Sequence, residues 1–237
     1  MFFGYYMNPL YFIIIAPAVI LGLWAQWKTR SAFQAASKMI PASGTTGAEA
    51  AAVILRQAGL QNVEVVRTEG FLSDHYDPRE KVLRLSPEVY DSKSLAALGV
   101  AAHEAGHALQ DASGYAPLVL RNGIVPLASV GGGVCWILLA IGMMLHSFGL
   151  TLAGIIAFSV LVIFQLINLP VEFDASRRAK QLLQKIGLVK EEEAPAVRAV
   201  LSAAAMTYVA ATLMAALQLL FFLIQAGIIG GRRSDDR

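Results

Sequence analysis

Four long apolar stretches dominate the chain, and segments richer in polar residues separate them. The apolar stretches cover about residues 9–27, 123–145, 150–169 and 201–229. Each is long enough to cross a bilayer, because a membrane-spanning helix needs roughly 20 apolar residues. The pattern therefore predicts a mainly α-helical, polytopic membrane protein with four transmembrane helices.

These stretches divide the chain into five predicted parts. Residues 1–27 form an N-terminal transmembrane helix, 28–122 a polar insert, 123–169 a transmembrane hairpin, 170–200 a second polar segment, and 201–237 the last transmembrane helix with a short tail. A cleavable signal peptide is the alternative for the first helix. No Lys or Arg precedes that helix, and its apolar run continues well past the nearest cleavage-like site, so we expect an uncleaved anchor.

The distribution of Lys and Arg predicts how the chain is oriented in the cell membrane. Residues 28–122 hold ten of the nineteen, residues 170–200 hold six, and residues 1–8 and 146–149 hold none. By the positive-inside rule, both polar segments face the cytoplasm and the N-terminus lies outside. The C-terminal tail does not follow the positive-inside rule, because four crossings would leave its three arginines outside. The alternative is a last helix that does not cross fully.

The polar insert shows the signals of a small α+β region. Thr46 and Glu49 have the spacing of a capping box, which predicts a helix that begins there. A second helix is predicted to start near Ser92 or Ser94 and to run to about Asp111. Apolar and polar positions alternate over 62–69 and 81–85, and these two strands are expected to pair as a hairpin.

The composition supports a membrane protein and excludes several other classes. Apolar residues make up 56% of the chain and charged residues 15%, whereas a soluble domain carries about a quarter charged residues. The net charge of +2 gives no reason to expect a nucleic-acid partner. The single cysteine, Cys135, excludes an internal disulfide and a multi-cysteine zinc cluster.

The candidate chemistry lies in the second helix of the insert, which contains His103-Glu104-Ala105-Gly106-His107. Four residues are just over one helical turn, so both imidazoles of this H-E-x-x-H motif project from one face and can bind one zinc ion. Glu104 is placed to take a proton from a water and pass it to a leaving amine. The alternative is a pair of ordinary histidines on a helix surface.

A catalytic zinc site needs a third protein ligand, and the topology narrows the choice. His146 is separated from His107 by a whole apolar stretch, so it is expected near the opposite membrane face. Glu172 follows the third stretch, which returns the chain to the side of His107, and Asp174 is a second carboxylate at the same depth. The charged run 191–193 is expected to be a solvated helix start. Spacing alone does not decide whether Glu172 is the third ligand.

Three motifs together resemble the YugP-type membrane zinc metallopeptidases. They are Val-Ala-Ala-His-Glu-Ala-Gly-His-Ala-Leu-Gln at 100–110, Leu-Ser-Asp-His-Tyr-Asp-Pro at 72–78, and Asn-Leu-Pro-Val-Glu-Phe-Asp-Ala-Ser at 168–176. The resemblance covers nearly the whole chain, including the four apolar stretches. That family is similar in turn to the HtpX-like and CAAX-processing membrane proteases, whose third ligand is a Glu in an E-x-x-x-D pattern.

This resemblance implies that His103, His107 and Glu172 are zinc ligands and that Glu104 is the catalytic base, as in a gluzincin-like metalloendopeptidase. The chain departs from the related pattern at Ser176, where those relatives carry an Asp. An outer carboxylate orients a ligating histidine, so that role is either weaker here or moved to another acidic residue, Asp174 or Asp111.

The group that stabilises the oxyanion of the reaction is less well defined by the sequence. Tyr208, in the last apolar stretch, and His75, in the turn-rich segment, are the candidates for a catalytic role, and Tyr76 and Arg177 are further donors. Residues 70–77 could also offer a strand edge to an extended peptide.

The sequence therefore predicts a membrane-embedded zinc endopeptidase that acts at the cytoplasmic face. We expect protein or peptide substrates, membrane proteins among them, and the lipid bilayer as partners, and no nucleic acid. The oligomeric state is left open. One alternative is a zinc-binding membrane scaffold or regulator without hydrolytic activity. The other is a small transporter with a path lined by polar side chains in the apolar stretches: Gln165, Asn168, Gln218 and Gln225.

Overall fold

The computed structural model describes residues 8–70 and 73–230. In chain order its elements are α1 (Pro9–Ala36), α2 (Gly47–Gln57), β1 (Glu64–Arg67), β2 (His75–Asp77), β3 (Val82–Leu85), α3 (Pro87–Tyr90), α4 (Leu95–Ala112), α5 (Ala116–Met144), α6 (Phe148–Lys185) and α7 (Ala194–Gln225). The N-terminal residues, Leu72 and the arginine-containing tail, which enter the predictions above, lie outside the described residues.

Among the described residues, four helices are long and apolar enough to cross a membrane: α1, α5, α6 and α7. The prediction of a mainly helical chain with four such helices is confirmed. The helices are longer than the apolar stretches, and α6 continues through Pro170 to Lys185. The bilayer limits the length of an apolar run but not that of the helix containing it, so the apolar stretches understate the helices.

The chain forms two compact units. The apolar unit takes in the described parts of Met1–Leu23, Leu120–Asn168 and Tyr208–Arg237, and the site unit takes in Trp24–Val119 and Leu169–Thr207.

The apolar unit has its own small core. Phe158 and Phe222 pack edge to face at 5.2 Å between ring centroids, and Cys135 is fully buried beside them. One hydrogen bond between polar side chains joins two helices of this unit: Tyr11 Oη donates to Gln218 Oε1 at 3.1 Å. A bond of this kind between helices accounts for Gln218 without a transport path.

The site unit has a core to which α2, the sheet and α4 contribute. Ile54, Leu83, Leu85, Leu95 and Leu98 are almost fully buried there. The capping box predicted for the first of these helices is present, since the Thr46 and Glu49 side chains each accept from the other's backbone N–H. These contacts give α4 a fixed position, and α4 carries the H-E-x-x-H motif.

The sheet has the order β1-β3-β2, with β1 parallel and β2 antiparallel to β3. The prediction that the strands over 62–69 and 81–85 form a hairpin is therefore wrong. The hairpin partner of β3 is β2, which lies in the turn-rich segment, where residues 70–77 are expected to offer a strand edge to a peptide. The carboxylate of Asp77 accepts from the N–H of Arg79 at 2.8 Å, which closes a tight turn directly after β2. This turn leaves β1 free to pair on the other edge of β3.

Candidate metal centre

The α4 helix forms where the sequence predicts it, and its start is well defined. Ser94 is the N-cap, and its Oγ accepts from the Ala97 N–H at 3.2 Å. The helix itself is rich in alanine and lacks proline, which favours the helical conformation. His103 and His107 are one turn apart, and their ring centroids are 4.8 Å from each other. Both imidazoles therefore lie on the same face of α4.

Glu172 of α6 lies across from the two histidines. Its Oε2 is 3.2 Å from His103 Nε2 and 3.7 Å from His107 Nε2, and one ligand atom from each residue lies within 4.8 Å of the others. In a tetrahedral site with bonds of about 2.0–2.1 Å, neighbouring ligand atoms are about 3.3–3.4 Å apart. The two distances from Glu172 Oε2 are close to this spacing, and the remaining spread of up to 4.8 Å requires the side chains to close in slightly for the three donors to share one zinc ion.

The outer nitrogen of each imidazole has a partner that fixes the ring. Ser176 Oγ lies 3.1 Å from His103 Nδ1, and Gln110 Oε1 lies 3.0 Å from His107 Nδ1. An Nδ1–H that donates outward leaves the Nε2 lone pair directed toward Glu172. This is the tautomer that a metal requires at Nε2.

Gln110 has a single consistent orientation. It is fully buried, and its Nε2 donates to the backbone carbonyl of Val171 at 2.8 Å and to Asp174 Oδ2 at 2.9 Å. With its amide nitrogen committed to two acceptors, only its carbonyl oxygen faces His107. The side-chain oxygen must therefore accept, and His107 must carry its proton on Nδ1.

Asp174 in turn is held by two arginines of its own helix. Arg178 Nε donates to Asp174 Oδ2 at 2.6 Å, and Arg177 Nη2 donates to Asp174 Oδ1. The carboxylate thus reaches His107 indirectly, through Gln110. Of the two places suggested for the outer carboxylate, Asp174 is in this network, whereas Asp111 accepts from Tyr76 Oη at 2.7 Å and from Lys81 Nζ at 2.5 Å.

A glycine allows the two ligand-bearing helices to approach each other. A Cβ added at Gly106 would lie 2.9 Å from the carbonyl oxygen of Ala175 and 3.2 Å from its Cα. Ala175 lies in the turn of α6 between Glu172 and Ser176. The glycine inside the H-E-x-x-H motif therefore sets the distance from the histidines to their third partner.

Glu104 is buried next to this cluster, with 9% of its surface exposed. The pKa of its carboxyl is raised to about 7, chiefly because burial disfavours the charged form; Glu172 and Asp74 also raise this pKa, whereas His103 and His75 lower it. A carboxyl group whose pKa lies near neutrality can both accept and release a proton under physiological conditions.

His75 lies on the edge strand β2 and is exposed. Its Nδ1 is 2.8 Å from the carbonyl oxygen of Ser73, and His75 lowers the pKa of Glu104. Tyr76, the next residue, donates its hydroxyl to Asp111, and burial and that bond both raise the pKa of Tyr76. Tyr76 is therefore a protonated donor already engaged with a carboxylate.

Tyr208 lies in α7, in the apolar unit, where its backbone carbonyl accepts from Thr212 Oγ1 at 2.8 Å. His146 lies in the link between α5 and α6, with a left-handed φ of 53°. The catalytic roles suggested for Tyr208 and His75 stay predictions.

Gln110 is the residue that sequence reasoning missed. It belongs to the 100–110 motif, and it follows His107 by three residues, which places the two side chains on one face of a helix. That spacing was the available signal. What it does not reveal is the amide orientation, which depends on acceptors 61 and 64 residues further along the chain.

Comparisons with known proteins found a family model and a relative that match most of the chain. A family model described as "Putative neutral zinc metallopeptidase" matches residues 11–227. The "Putative membrane protease YugP" of Bacillus subtilis (strain 168) is 47% identical over 215 residues, which cover 91% of this chain and 96% of that protein. No solved structure matches the chain.

Proposed function

We propose a function from one premise, that this chain belongs to the family described as "Putative neutral zinc metallopeptidase". In our proposal it is a zinc-dependent membrane endopeptidase that hydrolyses peptide bonds of protein or peptide substrates, membrane proteins among them. The observation that carries the proposal is the convergence of His103, His107 and Glu172 within 4.8 Å beside a buried carboxyl group.

The side chains have separate tasks in this proposal. His103, His107 and Glu172 hold the zinc ion through Nε2, Nε2 and a carboxylate oxygen. Zinc, when bound, supplies a Lewis acid that lowers the pKa of a water and polarises a carbonyl group. Gln110 keeps His107 in the required tautomer through its carbonyl oxygen, and Ser176 orients the ring of His103.

Glu104 moves the proton. As the general base, its carboxylate accepts a proton from the attacking water. As the general acid, it then delivers that proton to the nitrogen of the leaving amine. Its burial supports this role, because a desolvated carboxylate is a stronger base than one in water. In the proposal, Glu104 does not bind the zinc ion.

The substrate is proposed to bind as an extended strand beside β2. Among the described strands, β2 is an edge of the sheet, since it pairs only with β3. It also carries His75, which lowers the pKa of Glu104. An open strand edge offers backbone donors and acceptors to an extended peptide. The site is proposed to face the cytoplasm, on the strength of the Lys and Arg distribution.

The test is cleavage of an unfolded protein by the full chain purified in detergent, with the zinc per chain counted. We expect the wild type to cleave, and Glu104→Gln to retain equal zinc while losing cleavage, because the ligands are unchanged and only the base is lost. Loss of zinc along with activity in Glu104→Gln would contradict the assigned roles. Full zinc in a wild type that cuts nothing would favour the non-hydrolytic scaffold.

A further inference from the structure

A second site of interest lies in the site unit, between the C-terminal part of α6 and the first turns of α7. It is a cavity of about 250 Å³ with three cationic side chains in its lining, Arg177, Lys180 and Arg198. The metal ligands do not line it. The volume is several times the roughly 30 Å³ that one water molecule occupies in the liquid, so the cavity can hold a group of several heavy atoms.

The other residues that line the cavity are apolar side chains and side-chain amides, which are compatible with a bound anion. Leu183, Val189 and Val197 are buried and line the apolar part, and the side-chain amides of Gln181 and Gln184 add hydrogen-bond donors. The lining residues, all within the described chain, include no carboxylate.

Within the described residues, one of the three cations of this cavity, Arg177, is paired with a carboxylate, and the other two are not. Arg177 gives one N–H to Asp174, and the rest of its guanidinium donors remain for another acceptor. Lys180 and Arg198 form no ion pair with an acidic side chain of residues 8–70 and 73–230, and their charges act on each other. Like charges that face a shared cavity repel unless an anion is placed between them.

We propose that this cavity binds a phosphate-type anion through Lys180, Arg198 and the free donors of Arg177. A tetrahedral oxyanion presents several acceptor oxygens to cations approaching from two helices, and a guanidinium can bind two of those oxygens in a fork. A single carboxylate would leave part of this charge unmatched. The ligand is either a free phosphate or the headgroup of an anionic lipid, and both present the same chemistry. This inference does not depend on protease activity.

The experiment uses the full chain in detergent after removal of bound lipid. Titration with inorganic phosphate gives the affinity of the wild type, of Lys180→Gln and of Arg198→Gln. Lys185→Gln is the matched control, because Lys185 is a cation of the same helix outside the lining. We expect each cavity variant to weaken binding by at least about tenfold, the control to leave it unchanged, and added salt to weaken it in the wild type.

A second arm identifies the source. Native mass spectrometry counts the lipid retained from nanodiscs containing either phosphatidylglycerol or phosphatidylcholine. One phosphatidylglycerol held by the wild type and lost in Lys180→Gln and Arg198→Gln supports a lipid headgroup, and phosphate binding without retained lipid supports a free anion. The proposal is overturned if the wild type binds neither probe, or if Lys185→Gln weakens binding as much as the cavity variants. Thermal unfolding without ligand checks that every variant is folded.

Discussion

Replacing Gly106 by alanine tests how the two ligand-bearing helices are held together. The added methyl would lie 2.9 Å from the Ala175 carbonyl oxygen, whereas ordinary contacts begin at 3.4 Å. The neighbouring atom is backbone and cannot rotate away, so α6 must move from α4 by about 0.5 Å at this contact, or the clash must be absorbed as strain. That displacement equals the tolerance of a working site, which is about 0.5 Å.

The displaced segment is the turn that carries Glu172 and Ser176, so the effect falls on the metal centre. We expect Gly106→Ala to weaken zinc binding by about 10- to 100-fold, the range seen when groups around metal ligands are disturbed. The measurement is competition for zinc between the purified chain and a chromophoric chelator. Global stability is a poorer readout, because the helix-propensity gain of up to about 1 kcal/mol opposes the overpacking cost of about 1–3 kcal/mol.

The matched control is Gly99→Ala in the same helix. A Cβ at Gly99 would meet only the Val197 side chain, at 3.4 Å, so the same gain in helix propensity comes without a backbone clash. We expect zinc affinity within about twofold of the wild type for this variant. Equal zinc affinities for Gly106→Ala, Gly99→Ala and the wild type would refute the argument that Gly106 sets the spacing of the ligands.

Three further substitutions test the groups around the cluster. Ser176→Ala removes the partner of His103 Nδ1 and is expected to weaken zinc binding by about tenfold in the chelator assay, and unchanged affinity would show that the contact is incidental. Gln110→Ala is expected to weaken it further, because a buried acceptor and donor are lost together; an effect smaller than that of Ser176→Ala would contradict this ranking. Tyr76→Phe removes one hydrogen bond to Asp111 and should lower the thermal midpoint by about 2–4 °C with zinc content unchanged. Complete loss of cleavage by folded Tyr76→Phe would instead give Tyr76 a part in catalysis.

The elements that carry the site were predictable because their signals are local. Apolar runs of membrane length identify the four long helices, Ser94 marks the start of α4, and the i, i+4 spacing places His103 and His107 on one face. Glu172 required the resemblance in addition to topology, because many carboxylates could satisfy a rule based on the side of the membrane alone.

The features that were missed depend on contacts between distant segments. β1 pairs in parallel with β3 because β2 occupies the opposite edge of β3 as its hairpin partner. The alternation of apolar residues is the same whether two strands pair in parallel or antiparallel. The departure from the related pattern at Ser176 predicts an outer contact that is either weaker or moved to Asp174 or Asp111, yet the Ser176 hydroxyl lies at the ring nitrogen of His103. The role of Gln110 depends on Val171 and Asp174 of another helix.

The central claim is that His103, His107 and Glu172 together hold one zinc ion, and X-ray absorption at the zinc edge of the purified full chain tests it most directly. The account predicts one zinc per chain, two imidazole nitrogens at about 2.0–2.1 Å, oxygen ligands at about 2.0–2.2 Å and no sulfur. Glu172→Ala should lose most of the zinc at matched protein concentration. A third imidazole, a sulfur ligand from Cys135, or full zinc in Glu172→Ala would contradict the account.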